Sequence, residues 1–228
     1  MGESGGRGFR VTERDLEIVR WIGRQRFVEA GQVATRFRMH ERHVYRRLRG
    51  LVWLGLLAHR RVFHGQPGAY WATRAGLRAV GVRLPVAGID IRTYDHDRIA
   101  AAIVIELESE FGAPAILTER ELRSRDTAAE RPAYGVWGRR AQLGPRGLHF
   151  PDLAVDRGEG LPLVVEVELT AKGRARLDSI VGAYVRARHI AGVRYYASPR
   201  ARAGVEKAVA RADATALFDI RPLERYLR

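Results

Sequence analysis

Between residues 41 and 73 the hydrophobic period of the chain changes, and this change limits the fold more than any other feature. Over residues 41–53 Val44, Leu48, Leu51 and Val52 recur at helical spacing, while Arg42, His43, Arg46, Arg47 and Arg49 fill the remaining arc. One face of this helix must pack; the other is basic. The period then moves from 3.6 toward two. Residues 57–63 and 69–73 read as short strands around the turn His64-Gly65-Gln66-Pro67-Gly68. A basic helix followed by a basic hairpin predicts a winged helix.

The preceding residues supply the other helices of such a module. Thr12 is a good N-cap with Asp15 three residues on, and Leu16, Val19 and Ile22 form the inner face of a helix ending near Gly23. Phe27 and Val28 read as a short extended entry. A second helix is expected over 29–37 with Val33 and Phe37 inward, a tight turn over 38–40, and a short helix over 74–80. Residues 1–10 are Gly-rich and charged and are expected to be a flexible tail. The winged helix-turn-helix domain then spans 11–80, and 81–93, with Pro85 and two glycines, forms a linker. In that geometry the third helix enters the major groove and the wing follows the backbone. This places His43, Arg46 and Arg47 near bases or groove walls, and Arg42, Arg49, Arg60 and Arg61 on phosphates, with His64 at the wing tip.

Charge points the same way. The formal net charge is +14, and residues 1–80 carry sixteen Lys and Arg against six Asp and Glu. An excess gathered at one end favours a polyanion partner, because neutralising phosphates releases counterions. Only Lys172 and Lys207 are lysines, so a GC-rich genome is an alternative source of the arginines. It explains Arg over Lys but not the uneven distribution. With no cysteine, disulfides and thiolate metal sites are excluded. No 18-residue apolar run and no signal-like start occur, so a cytoplasmic protein is expected.

Residues 94–228 read as a second domain, an α/β fold with a mixed sheet. Helices are expected over 94–111, 174–189 and 202–211, and strands over 116–122, 148–155, 163–169, 193–197 and 217–221. Ile99, Ile103 and Leu107, with Ala102 and Val104, give the first helix a wide apolar face. The stretch 123–147 is longer than a usual connection and is expected to be a flap or partly disordered.

The chemistry of this domain sits on two strands. Asp152 falls within 148–155, and burying Val165 and Val167 turns Glu166 and Glu168 together to the other face of the next strand. Carboxylates gathered this way repel unless a divalent cation or Arg and Lys neutralise them. Oxygen ligands suit Mg²⁺ or Mn²⁺, and Lys172, four residues after Glu168, is within reach of the same place. Glu119 and Glu121 share a strand face and are a further acidic pair. His96 and Asp97 are better read as helix-capping groups than as part of a metal motif, since further histidine ligands at suitable spacing are lacking.

Asp152 with Glu166-Val167-Glu168, in the order helix, three strands, helix, strand, resembles the core of the PD-(D/E)xK nuclease superfamily. The chain from Thr12 through His64-Gly65-Gln66-Pro67-Gly68 and His96-Asp97 to Glu166-Val-Glu168-Leu-Thr is similar to the replication-relaxation family of plasmid and integrative-element proteins. The resemblance implies a DNA-binding protein of a mobile element, acting in replication, relaxation or mobilisation. It also implies that Asp152 and Glu166 hold Mg²⁺, with Glu168 or Lys172 orienting water or leaving group. One departure matters: the nuclease pattern has Lys two residues after the second acid, where this chain has Glu168. Lys172 is the candidate replacement.

Read on its own, the acidic pair is equally a polar strand face paired with arginines, in a fold kept only for binding. Three readings follow: a mobile-element protein with a metal-dependent DNA-cleaving domain, a non-enzymatic DNA-binding accessory factor, and a winged-helix transcriptional regulator. The expected partner is double-stranded DNA, with relaxase or replication proteins of the same element and a homodimer as further candidates. No nucleotide-binding phosphate loop accompanies Gly5-Gly6-Arg7-Gly8, and no paired-histidine motif accompanies Tyr184, Tyr195 or Tyr196.

Overall fold

The computed structural model describes residues 9–127, 132–138 and 147–227, and the chain divides into two units, Met1–Ile91 and Arg92–Arg228. In the first unit, Thr12 and Asp15 form a reciprocal capping box that starts α1 (Glu13–Arg24). Strand β1 (Val28–Glu29), α2 (Ala30–Phe37), α3 (Glu41–Trp53), the strands β2 (Leu57–Arg60) and β3 (Ala69–Ala72), and α4 (Arg74–Ala79) follow. The sheet is antiparallel in the order β1-β3-β2. Ile18, Val19 and Ile22 of α1, Val33 of α2, and Val44, Leu48 and Leu51 of α3 are fully buried. The α3 stripe is therefore the face that packs.

The hairpin strands are shorter than expected. The register runs from Leu57 opposite Ala72 to Arg60 opposite Ala69. Continuing it would set Val62 against Pro67, which has no amide hydrogen to donate. At the other end, Thr73 caps α4 by accepting from the Gly76 amide at 3.1 Å. A Cβ on Gly76 would lie 2.0 Å from the Leu56 carbonyl oxygen, so this close packing needs glycine.

The second unit is a mixed α/β structure. Its elements are α5 (Tyr94–Phe111), β4 (Ile116–Thr118), α6 (Glu119–Thr127), β5 (Val136–Trp137), β6 (Leu148–His149), β7 (Leu153–Val155), β8 (Leu163–Glu168), α7 (Arg174–Arg186), β9 (Gly192–Ala197), α8 (Pro199–Arg211) and β10 (Phe218–Pro222). Five strands form one sheet in the order β10-β9-β8-β7-β4. The pairs β4/β7 and β7/β8 are antiparallel; β8/β9 and β9/β10 are parallel. One apolar cluster joins Ile99, Ile103, Val104 and Leu107 of α5 to Val165, Val167 and Tyr196. The other joins Leu177, Ile180 and Tyr184 of α7 and Val205 of α8 to Val164 and Tyr195. Period two along β8 thus puts Glu166 and Glu168 on the side of the sheet that α7 covers.

Several expected boundaries change. The strand over 116–122 stops at Thr118, because the Glu121 carboxylate accepts from both the Thr118 amide and hydroxyl at 2.9 Å and starts α6. Glu119 and Glu121 consequently lie on a helix. The strand over 148–155 splits into β6, paired with β5, and β7, with Asp152 in the bend between them. Helix α7 ends at Arg186, before His189, and α8 begins earlier than residue 202 because Ser198 caps it and Pro199 fits its first turn. Within 123–147, Asp126 accepts from the amides of Ala133, Tyr134 and Gly135 at 2.8 to 3.2 Å and so orders the approach to β5. Residues 128–131 and 139–146 lie outside the described residues. Among the described residues no helix is long and apolar enough to cross a membrane.

Candidate functional site

In the first unit, burial of the α3 stripe leaves Arg42, His43, Arg46 and Arg49 exposed on the same helix. On the hairpin, Arg60, Arg61 and His64 are exposed as well. His40 caps α3, its Nδ1 accepting from the Arg42 amide at 3.3 Å, and its ring lies 6.1 Å from that of His43. Seven of the eight expected contact residues therefore share two solvent-facing elements.

Arg47 is different. Its Nε donates to Asp15 Oδ1 at 2.8 Å and its Nη2 to Asp15 Oδ2 and, at 2.9 Å, to the Arg10 carbonyl. The guanidinium also lies 4.1 Å over the Phe9 ring. Phe9 in turn occupies the space a Cβ on Gly50 would fill, 2.1 Å from the ring. Phe9 and Arg10, expected to belong to a flexible tail, are thus docked on α3. Burial acts to raise the Asp15 pKa, but the bonds from Arg47 and Thr12 outweigh it and hold the carboxyl below its usual value. Arg47 joins α3 to α1 rather than facing outward with Arg46. Sequence reading also passed over His59, stacked 4.4 Å from the Tyr70 ring. Burial and the neighbouring Arg61 lower its pKa.

In the second unit, β8 and the bend before β7 bring Asp152, Glu166, Glu168 and Lys172 together. The Asp152 amide donates to the Val165 carbonyl at 3.0 Å, and its Oδ2 accepts from the Val167 amide at 2.7 Å. Those bonds lock the bend against β8. Its Oδ1 lies 3.2 Å from His96 Nε2, supplied by the first turn of α5. Glu166 Oε1 is 2.6 Å from His149 Nε2 and accepts from the buried Tyr184 hydroxyl on α7. Glu168 Oε2 is ion-paired with Lys172. His96, His149 and Tyr184 complete the centre. Of these, the sequence marks His96 only as a capping group and gives no signal for His149 or Tyr184, which lie 17 and 18 residues from Glu166.

The electrostatics are mutual. Burial disfavours protonated His96, yet Asp152 and Asp97 beside it push its pKa up to about 11. Burial likewise opposes a charged His149, and Glu166 and Asp152 outweigh it, raising its pKa. Asp152 itself is pulled below its usual value, against burial, chiefly by His96. Glu168 goes the other way: burial raises its pKa in spite of Lys172. The Tyr195 hydroxyl is buried against the same carboxylates and makes no hydrogen bond with a described residue; burial and their charge raise its pKa well above normal.

A bound Mg²⁺ needs carboxylate oxygens that are free to face it and a surplus of negative charge. Here both Asp152 oxygens and Glu166 Oε1 are already engaged, and a basic side chain stands against each of Asp152, Glu166 and Glu168. Among the described residues no group of three or more His, Asp and Glu side chains is arranged to hold a metal ion. The arrangement does not fit the Mg²⁺ or Mn²⁺ site that Asp152 and Glu166 were expected to form.

The chain matches no protein-family model and no curated protein. Among solved structures it is similar to an O-methyltransferase family protein from Burkholderia thailandensis, with 14% identity and a TM-score of 0.22, over 92% of this chain and 58% of that one. The chain therefore spans less than two thirds of that protein. A likeness at this level carries no argument about fold or chemistry.

Proposed function

We propose that this chain is a double-stranded-DNA-binding accessory protein of a mobile genetic element, working in its replication, relaxation or mobilisation. The observation that carries the reading is the pairing of fully buried Val44, Leu48 and Leu51 on α3 with exposed Arg42, His43, Arg46 and Arg49, continued by Arg60, Arg61 and His64 on the hairpin. The order α1, β1, α2, α3, β2, β3 supports a winged helix-turn-helix, in which α3 enters the major groove and the hairpin meets the backbone. The order α5, β4, β7, β8, α7, β9 supports a PD-(D/E)xK-like core in the second unit. The mobile-element assignment rests on the resemblance that runs from Thr12 to Thr170.

The test is fluorescence anisotropy of the full protein with labelled duplex DNA over a series of salt concentrations. Each phosphate contact should contribute about 0.9 to the slope of log affinity against log salt. Arg42→Ala combined with Arg60→Ala should flatten that slope and weaken binding. A wild-type protein whose affinity does not respond to salt, or to this pair of changes, would sink the reading.

A further inference from the structure

We infer that the acidic centre of the second unit is closed from within: His96, His149 and Lys172 occupy the oxygens of Asp152, Glu166 and Glu168 that a divalent cation would otherwise take. Three carboxylates crowded against a sheet must be compensated, since each carries a desolvation cost and repels the others. Glu166 and Glu168 are 2% and 4% exposed, so solvent screens them little.

Each carboxylate has its own basic partner, and each partner comes from a different part of the fold. His96 reaches Asp152 from the first turn of α5, and His149 reaches Glu166 from β6. Lys172 turns back to Glu168 from the loop after β8. Glu166 is further held by Tyr184, and Asp152 by the Val167 amide. A dication reaching these carboxylates would have to displace His96 from Asp152 and His149 from Glu166. The centre therefore acts as a clasp that ties α5, β6, β8 and α7 together without metal. This goes beyond the DNA-binding reading, which concerns the other unit.

The experiment uses the full chain after EDTA treatment and dialysis. Mn²⁺ binding is followed by electron paramagnetic resonance, and thermal unfolding is recorded with and without Mn²⁺. Wild type should bind no stoichiometric Mn²⁺ below about 1 mM, and its melting temperature should not respond to the ion. His96→Gln with His149→Gln removes both imidazoles from the carboxylates. That variant should melt lower and gain roughly 5 °C or more at saturating Mn²⁺. Adding Asp152→Asn should abolish the gain. One Mn²⁺ per wild-type chain with Kd below about 0.1 mM, lost in Asp152→Asn, would overturn the inference, and this measurement decides even where the double variant fails to fold. Duplex binding in EDTA is scored separately, so failure of the DNA-binding reading is told apart from failure of this one.

Discussion

Replacing Arg47 by alanine should destabilise the first unit, whereas the same change at Arg46 should leave stability unchanged and weaken DNA binding. The two residues are neighbours of equal charge, but Arg47 makes three hydrogen bonds, to Asp15 and the Arg10 carbonyl, and covers Phe9. Asp15 is 1% exposed. Removing its partner leaves a carboxylate in a nearly dry place, a change that costs about 3 to 5 kcal/mol when both groups are buried. Arg47 keeps 21% of its side chain in solvent, and Thr12 still donates to Asp15, so the lower end, about 3 kcal/mol, applies. With a urea slope of about 1 kcal/mol/M for a unit of this size, the midpoint should fall by roughly 2 to 3 M. Tryptophan emission is the assay, since Trp21 is buried against the edge of Phe37. Anisotropy with duplex DNA is run in parallel, and Arg46→Ala should weaken binding by about 1 to 3 kcal/mol. If Arg47→Ala unfolds within about 0.3 M of wild type and loses DNA affinity as Arg46→Ala does, the Asp15 pairing is not what positions Arg47.

Acid should weaken the same pairing. The Asp15 pKa is depressed in the folded protein, so its contribution is present above the ordinary carboxylate value of about 3.9 and is lost as pH falls through the folded value; Arg47→Ala should shrink that loss in acid-unfolding curves. Glu166→Ala would strand the Tyr184 hydroxyl and His149 and should lower the melting temperature by about 10 °C, while Glu166→Gln, which keeps an acceptor, should cost far less. Gly76→Ala should destabilise by about 1 to 3 kcal/mol in urea titrations, because the clash with the Leu56 carbonyl exceeds the gain in helix propensity of about 1 kcal/mol.

Where the sequence was readable, the information was local. The spacing of Val44, Leu48 and Leu51 marks a helix face wherever that helix sits, and all three are fully buried. Alternation in β8 turns Glu166 and Glu168 to one side for the same reason. Thr118 shows how close local signals compete: apolar residues 116–117 read forward as a strand, but Thr-x-x-Glu is also a helix start, and the cap prevails after three strand residues. Gly50 and Gly76 gave no warning of Phe9 and Leu56, because what fills the space beside a glycine is set by other segments.

Sequence alone determined most of the helices and strands but not α6 or β5, together with the packed face of α3, the concentration of positive charge before residue 80, and the common face of the β8 carboxylates. Tertiary structure decided which charges meet. Arg47 and Asp15 are 32 residues apart and Tyr184 and Glu166 are 18 apart. Periodicity records whether a side chain faces inward, but not what it finds there. A buried charge must be matched by another charge or donor, and only the chain's path brings His96 to Asp152 and His149 to Glu166. The same path takes Arg47 out of the outward-facing basic set while leaving Arg46 in it.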